Sequence, residues 1–215
     1  MDMSRDIKFV EGEMYHIFNR GVDRRNIFSD KYDIERFLKS MEQFNSLEPI
    51  GSIYENRFNK NKSKDQLGNS VTKLVNFICY CLNPNHFHFI LEQVSENGIE
   101  KFMHRLLGYS RYYNNRHKRS GVLFQGPFKA VHIDSNEQLL HTSVYVNLND
   151  QVHKLGNAVT ESSWAEYAGL KKEKICNTDI ILGQFRDFKE YEKFSQTSLE
   201  WIKENKEEAK FLVDI

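Results

Sequence analysis

The sequence has few cysteines, no net charge and no long apolar run, and each absence excludes a class of protein. Its three cysteines, Cys79, Cys81 and Cys176, cannot form a closed disulfide framework, so we expect a reducing, cytoplasmic compartment. Cys79 and Cys81 also lack the spacing of a zinc site. No apolar stretch approaches the roughly 20 residues that span a bilayer, and the amino terminus lacks a signal-peptide core. We therefore expect no membrane partner.

Charge is balanced over the whole chain, with 30 basic and 30 acidic side chains, so the total does not favour nucleic acid. Its distribution is uneven, because residues 101–129 contain no aspartate or glutamate. The basic residues that could contact the phosphates of a nucleic acid are Arg20, Arg24, Arg105, Arg111, Arg116, Lys118, Arg119 and Lys129. The alternative is an ordinary solvated surface, on which the cations near the end of a helix only cap it.

The periodicity of apolar residues predicts both strands and helices, and the α/β (α+β) class is implied by the family resemblance described below. Strands are predicted at 13–19, 74–82, 87–93 and 128–133, and helices at 30–44, 99–115, 137–153, 163–167 and 179–205. Residues 46–72 lack periodicity and are predicted to form a loop insertion. We expect one domain over residues 1–155 and a C-terminal helical extension over residues 156–215 that packs on it or follows it.

Two histidines near the third predicted strand are the first candidates for chemistry. His86 and His88 are two residues apart, so in an extended chain both imidazoles point to one face, whereas Phe87 points to the core behind them. Neutral imidazoles on a rigid strand can bind a divalent cation when a third ligand comes from elsewhere. A half-exposed strand that merely carries histidines explains the spacing equally well.

The third predicted helix offers groups that would complete such a site. Tyr145 and Asn149 are four residues apart and therefore lie on one helix face. Asn149 can supply the third metal ligand, and Tyr145 can attack a phosphodiester to form a covalent phosphotyrosine. The alternatives are His141 as the third ligand and Tyr109, Tyr112 or Tyr113 as the nucleophile.

Several blocks of the sequence, taken in their order, resemble a known family. Residues 83–89, Asn-Pro-Asn-His-Phe-His-Phe, resemble the His-hydrophobe-His (HUH) motif of single-tyrosine transposases. Further blocks resemble the branch of REP-associated tyrosine transposases: residues 15–21, the helix with Phe37 and Leu38, residues 121–126 with Lys129, and residues 145–149. The resemblance extends from Glu13 to Asp150, and more weakly beyond it.

The resemblance implies a ferredoxin- or RRM-like HUH fold, in which helices flank an antiparallel sheet. It implies Mg²⁺ or Mn²⁺ held by His86, His88 and Asn149, and Tyr145 as the nucleophile that nicks and transfers single-stranded DNA through a 5′-phosphotyrosine. The expected DNA carries a hairpin or palindromic repeat, and relatives act as monomers or homodimers. Asn83 stands where relatives commonly have methionine, a departure that we expect to be mild.

Two other functions are compatible with the sequence. A domesticated DNA- or RNA-binding protein could keep the scaffold without cleaving, and its binding would survive both His86→Ala and Tyr145→Phe. A metal-dependent hydrolase could use activated water instead, and its activity would persist in Tyr145→Phe.

Overall fold

The computed structural model describes residues 7–48, 51, 53 and 73–205, which form a five-stranded sheet with helices on both faces. The strands are β1 (Met14–Arg20), β2 (Val75–Asn83), β3 (His86–Gln93), β4 (Lys129–Ile133) and β5 (Glu161–Ser162). They lie in the order β4-β1-β3-β2-β5, and every neighbouring pair is antiparallel. The predicted α+β class, an antiparallel sheet flanked by helices, is confirmed.

The helices largely follow the predicted segments, but three of those segments are interrupted, the last of them by residues 183–187. The described α-helices are α1 (Lys31–Phe44), α2 (Gly98–Leu107), α3 (Tyr109–Arg116), α4 (Asn136–Asn147), α5 (Asn149–Val152), α6 (Trp164–Tyr167), α7 (Asp179–Leu182) and α8 (Phe188–Glu204). Gly108 separates α2 from α3, and Leu148, with a φ of −113°, separates α4 from α5. Most of the predicted insertion at 46–72 lies outside the described residues, as do residues 206–215 of the extension.

Strand β3 lies between β1 and β2, and its side chains alternate between two layers because the side-chain period of a strand is two. Phe87 and Phe89 are buried in a core shared with α1, α2 and α3. Ile90 is buried in a second core shared with α4 and α8. His86 and His88 are on the same face as Ile90, so they point toward the layer that contains α4.

The turn between β2 and β3 sets where the histidine strand begins. The carbonyl oxygen of Pro84 accepts a hydrogen bond from the backbone N–H of Ile27 (2.7 Å), and that of Asn85 accepts one from Gly21 (2.8 Å). A Cβ added to Gly21 would lie 2.0 Å from a backbone carbonyl oxygen, so only glycine fits there. The segment after β1 therefore fixes the position of His86.

Helix α4 begins at a side-chain cap and packs across β2 and β3. The hydroxyl of Ser135 accepts a hydrogen bond from the backbone N–H of Gln138 (3.2 Å), as in a capping box. The side chain of Gln138 in turn accepts from the N–H of Asp134 (2.9 Å), one residue earlier than in the usual box. This packing places the buried Tyr145 against the sheet.

The chain beyond residue 155 contributes a strand as well as helices. Strand β5 pairs with β2 and extends the sheet. The buried carboxylate of Glu166 accepts hydrogen bonds from the hydroxyl of Tyr80 (3.0 Å) and from the backbone N–H of Cys176 (2.9 Å). The described part of the extension thus packs on the sheet, whereas the domain boundary at 155 stays a prediction. No helix in the ranges given above is both long enough and apolar enough to cross a bilayer.

Candidate active site

The candidate active site lies where the histidine face of β3 meets α4 and α5. Strand β1 contributes His16, β3 contributes His86 and His88, and the two helices contribute Tyr145 and Asn149. His16, His88, Tyr145 and Asn149 are buried, whereas His86 is partly exposed. The site therefore gathers polar groups from four elements on a face that is otherwise apolar.

His86 and Asn149 meet directly. The Nε2 atom of His86 lies 3.0 Å from Oδ1 of Asn149, and its Nδ1 atom lies 2.6 Å from Oδ1 of Asn85. Both amide oxygens can only accept, so the ring proton could donate to either of them. The donor Nδ2 of Asn83 lies 2.9 Å from Nε2 and favours a proton on Nδ1 and a lone pair on Nε2. Burial lowers the pKa of His86 to about 4, so the ring is neutral at neutral pH. An imidazole nitrogen and an amide oxygen, both acceptors, therefore face each other.

Asn83, the last residue of β2, holds these two acceptors together. Its Nδ2 atom donates to Oδ1 of Asn149 (2.6 Å) and to Nε2 of His86 (2.9 Å). Because Nδ2 is a donor, its contact is consistent with a lone pair on Nε2. Asn83, which stands where relatives commonly have methionine, thus makes two hydrogen bonds inside the site.

His88 lies deeper in the site and contacts both another histidine and the tyrosine. Its Nδ1 atom lies 2.9 Å from Nε2 of His16, and its ring centroid lies 5.2 Å from that of His86. The ring of Tyr145 meets it edge-on at a centroid distance of 5.4 Å. Burial lowers the pKa of His88 well below its ordinary value, so this imidazole is also neutral.

Tyr145 is a protonated phenol in this environment, with only 1% of its surface exposed. Burial raises the pKa of Tyr145 well above its ordinary value. The amide of Asn149 opposes part of that rise, although the two groups do not reach hydrogen-bonding geometry. The phenol would need activation before it could act as a nucleophile.

The donor set of the site limits which cation it could bind. Among residues 7–48, 51, 53 and 73–205, no group of three His, Cys, Asp or Glu side chains is suited to a metal. A cation would therefore depend on the amide oxygen of Asn149 beside the imidazoles of His86 and His88. Imidazole nitrogens suit Zn²⁺, Fe²⁺ or Cu²⁺ and an amide oxygen suits Mg²⁺ or Mn²⁺, so this mixed set can hold a divalent cation without selecting one of them.

One buried atom of the site lacks a partner. The Nδ2 atom of Asn149 has no hydrogen-bond partner within the part of the chain that the structure describes. A buried donor left in this state costs about 1–3 kcal/mol, which is why such atoms often mark a place where a ligand binds. This N–H group is therefore available to donate to a ligand at the site.

Two of the cations predicted to contact DNA lie beside the histidines. Arg20 is directly opposite His86 in the pairing of β1 with β3, so their side chains share a face. Lys129 is opposite Phe18 in the pairing of β1 with β4, and its ammonium group lies 5.8 Å from that ring. Both cations therefore flank the candidate site.

Other predicted DNA contacts are engaged elsewhere in the fold. Arg105 donates to the backbone carbonyl of Ser46 (2.5 Å) beyond the end of α1. Arg116 forms ion pairs with Asp30 (2.7 Å) and Asp33 (2.5 Å), which tie α3 to α1. The remaining four lie outside the histidine cluster: Arg24, Arg111 and Lys118, which are exposed, and Arg119, which is partly exposed. Their role in DNA binding stays a prediction.

The alternative nucleophiles lie on the opposite side of the sheet. Tyr109 is buried in the core shared with α1, and its hydroxyl donates to the carbonyl of Ile27 (2.9 Å). The hydroxyl of Tyr113, in the same core, is hydrogen-bonded to Ser29 (2.8 Å). Tyr112 packs against this core as well. Of the candidate tyrosines, Tyr145 is the one that the structure brings to the histidine pair.

The alternative third ligand also points elsewhere. The Nδ1 atom of His141 lies 2.7 Å from the hydroxyl of Ser198 on α8, and its ring packs near Phe194. Asn149 instead reaches His86, although the break at Leu148 places it in a different helix from Tyr145. The predicted set of four site residues is thus brought together.

Sequence reasoning misses His16 and His153 as members of this site. The ring of His153, at the end of α5, lies 5.1 Å from that of His86. Alternation along β1 puts His16 and Phe18 on one face, but only the register of β1 against β3 shows that this face is the histidine face. The pairing register of β1 with β3, which places His16 in the site, could not be read from the sequence.

No model of a protein family matches this sequence, and no curated protein matches it. A solved structure that does match is that of the REP-associated tyrosine transposase bound to a REP hairpin. The two chains are 11% identical, the match covers 80% of this chain and 88% of that chain, and the TM-score is 0.48. A similarity of this extent carries no argument about function, so the site is interpreted from its own geometry.

Proposed function

We propose that this protein nicks single-stranded DNA and transfers the strand in a metal-dependent reaction that passes through a 5′-phosphotyrosine on Tyr145. The observation that carries the proposal is the convergence of Tyr145, Asn149, His86 and His88 on one face. Buried polar groups cost stability unless each is paired, and a fold retains such a cluster where it has a use. A strand that merely carries histidines would not need the tyrosine and the asparagine beside them.

In the proposed reaction, the hydroxyl oxygen of Tyr145 attacks the phosphorus of a phosphodiester, and the bond from phosphorus to the 3′-oxygen breaks. The tyrosine loses its proton, the leaving 3′-oxygen gains one, and the 5′-phosphate stays on the tyrosine. Attack by the 3′-hydroxyl of another strand reverses these steps and frees the tyrosine. His86, His88 and Asn149 would hold the cation, which when bound would polarise a phosphate oxygen and stabilise the charge that develops there.

The surrounding residues support this assignment. The unpartnered Nδ2 atom of Asn149 can donate to a phosphate oxygen beside the nucleophile. Arg20 and Lys129 flank the site and can neutralise neighbouring phosphates, which predicts binding that weakens with salt. A flexible single strand can present its phosphate to a buried phenol more readily than a stiff duplex can. The resemblance in sequence further favours DNA with a hairpin.

The decisive test is a covalent adduct. A single-stranded hairpin oligonucleotide labelled at its 3′ end, incubated with the protein and Mn²⁺, should yield a labelled protein band that survives denaturation. Tyr145→Phe should abolish the band and retain DNA binding, whereas the matched control Tyr113→Phe, on the opposite side of the sheet, should keep it. Absence of an adduct with both Mg²⁺ and Mn²⁺ would refute the proposed chemistry.

A second candidate is a DNA- or RNA-binding protein that does not cleave. The burial of Tyr145 favours it, because a phenol with 1% exposure is not open to a substrate in this arrangement. This alternative predicts no adduct, and it predicts binding that survives both Tyr145→Phe and His86→Ala. The adduct assay and a binding titration together separate the two functions.

A further inference from the structure

One contact of the site is not used by the reaction proposed above. The Nε2 atom of His16 lies 2.9 Å from Nδ1 of His88, and His16 is fully buried, at 0% exposure. The two rings are nearly parallel, with an angle of 17° between their planes and 5.1 Å between their centroids. Two buried imidazoles thus share one hydrogen bond directly beside the candidate metal ligands.

We infer that His16 is a positioning residue that determines which nitrogen of His88 is available to the metal. In a bond between two neutral imidazoles, one ring donates and the other accepts. When Nδ1 of His88 donates to His16, the lone pair of His88 lies on Nε2, where it can bind a cation. When His16 donates instead, Nε2 of His88 carries a proton and cannot be a ligand. This inference rests on the proposed function, because it concerns the metal-binding form of the same site.

The neighbouring ligand shows the same arrangement. Asn85 accepts from Nδ1 of His86 when Nε2 carries the lone pair that faces the donor Nδ2 of Asn83. Histidines that bind metals usually donate their other N–H to such an outer partner, which sets the tautomer and the ring orientation. His16 occupies the corresponding place for His88. Both candidate ligands would then present Nε2 to the same cation.

The packing around His16 holds the geometry in place. Phe18, two residues further along β1, stacks on His16 at 5.0 Å and on His88 at 5.5 Å between ring centroids. Phe18 is directly opposite His88 in the strand pairing, and His16 is opposite Ile90. Rotation of either imidazole would require these stacked rings to separate. The stacking therefore helps to keep the two ring nitrogens at hydrogen-bonding distance.

The first test reads the proton position without metal or substrate. Nitrogen-15 NMR of histidine-labelled full-length protein should show His88 protonated at Nδ1 in the wild type. In His16→Phe, which removes the acceptor, His88 should shift toward the form protonated at Nε2. A wild-type His88 that is protonated at Nε2 would overturn the inference, whether or not the variants fold.

The second test measures Mn²⁺ affinity by calorimetric titration. His16→Phe should weaken binding about 10- to 100-fold, as is typical when an outer partner of a ligand is lost. His16→Gln, whose amide oxygen can still accept, should recover most of the affinity. If His16→Phe does not fold, His16→Met provides the comparison with His16→Gln. His141→Phe, which removes a histidine hydrogen bond outside the site, should leave the affinity unchanged.

The outcomes separate this inference from the proposed function. A wild-type protein that binds Mn²⁺ and forms the adduct, together with a His16→Phe variant of equal affinity, would overturn only the role of His16. A wild-type protein that neither binds Mn²⁺ nor forms the adduct would overturn both. Loss of affinity in His16→Phe with recovery in His16→Gln would establish the positioning role.

Discussion

The two faces of strand β3 differ in what their burial achieves. On one face, Phe87 and Phe89 stack at 4.7 Å between ring centroids and join the aromatic core with Phe37. On the other face, His86 and His88 are held by hydrogen bonds whose directions matter. Apolar contacts have no direction, whereas a hydrogen bond fails when donor and acceptor are exchanged. The aromatic face of β3 therefore contributes packing, the histidine face carries the proposed chemistry, and substitutions should separate the two.

The largest effect is expected on the aromatic face. Phe87→Ala should lower the free energy of unfolding by about 3–5 kcal/mol, because the side chain is fully buried against Phe37 and Phe124 and leaves a cavity. Urea denaturation would measure the loss, and Mn²⁺ affinity of the folded fraction should be retained. If His88→Ala destabilises the protein more than this, the division between the two faces is wrong.

A substitution on the histidine face should have the opposite result, with a large loss of Mn²⁺ affinity and a small loss of stability. Asn149→Ala should reduce Mn²⁺ affinity by at least about 100-fold, since it removes a ligand rather than an outer partner. The free energy of unfolding should fall by only about 1–2 kcal/mol, because Asn83 loses one acceptor. Asn149→Asp, which keeps an oxygen ligand, is the matched control and should retain binding in the titration.

A smaller effect is expected for the cations beside the site. Lys129→Gln should weaken single-stranded DNA binding and lower the slope of log K against log salt by about 0.7, the value for one phosphate contact. Fluorescence anisotropy over a salt series would measure both quantities. Lys101→Gln, at an exposed lysine on α2, is the control and should change neither. An equal loss in both variants would indicate nonspecific attraction rather than a contact at the site.

The smallest effect concerns Arg116, which lies on the aromatic side. Its guanidinium lowers the pKa of Asp30 to about 2, from an ordinary value of 3.8. A carboxylate with a depressed pKa adds stability above its unfolded pKa and loses it as the pH falls through its folded pKa. Arg116→Gln should therefore lower Tm slightly at neutral pH, and the difference should disappear as the pH falls from about 4 to about 2. Reduced DNA affinity with an unchanged Tm would instead favour the DNA contact predicted from sequence.

Much of the site could be predicted because it depends on short-range spacing. Period two places His86 and His88 on one face, and a separation of four residues places Tyr145 and Asn149 together. The fold class, which the family resemblance implies, is confirmed. These relations depend on local backbone geometry, which the sequence encodes directly.

What could not be predicted depends on partners that are distant in sequence. The side chain of Asn83 bonds to Asn149, and His16 bonds to His88, only because of strand register and helix packing. The basic segment is visible in the sequence, but the carboxylates that hold Arg116 belong to another helix. The break at Leu148 was also missed, since the apolar pattern continues through it.

The alternation along β3 makes the length of this strand a stricter constraint than its composition. A single residue inserted after the Pro84–Asn85 turn would rotate every later side chain to the other layer. Phenyl rings would then meet the helix that carries Tyr145, and imidazoles would be forced among the aromatic residues behind the sheet. Homologous chains should therefore vary freely in the identity of many residues here while keeping the count between the turn and Gln93 unchanged.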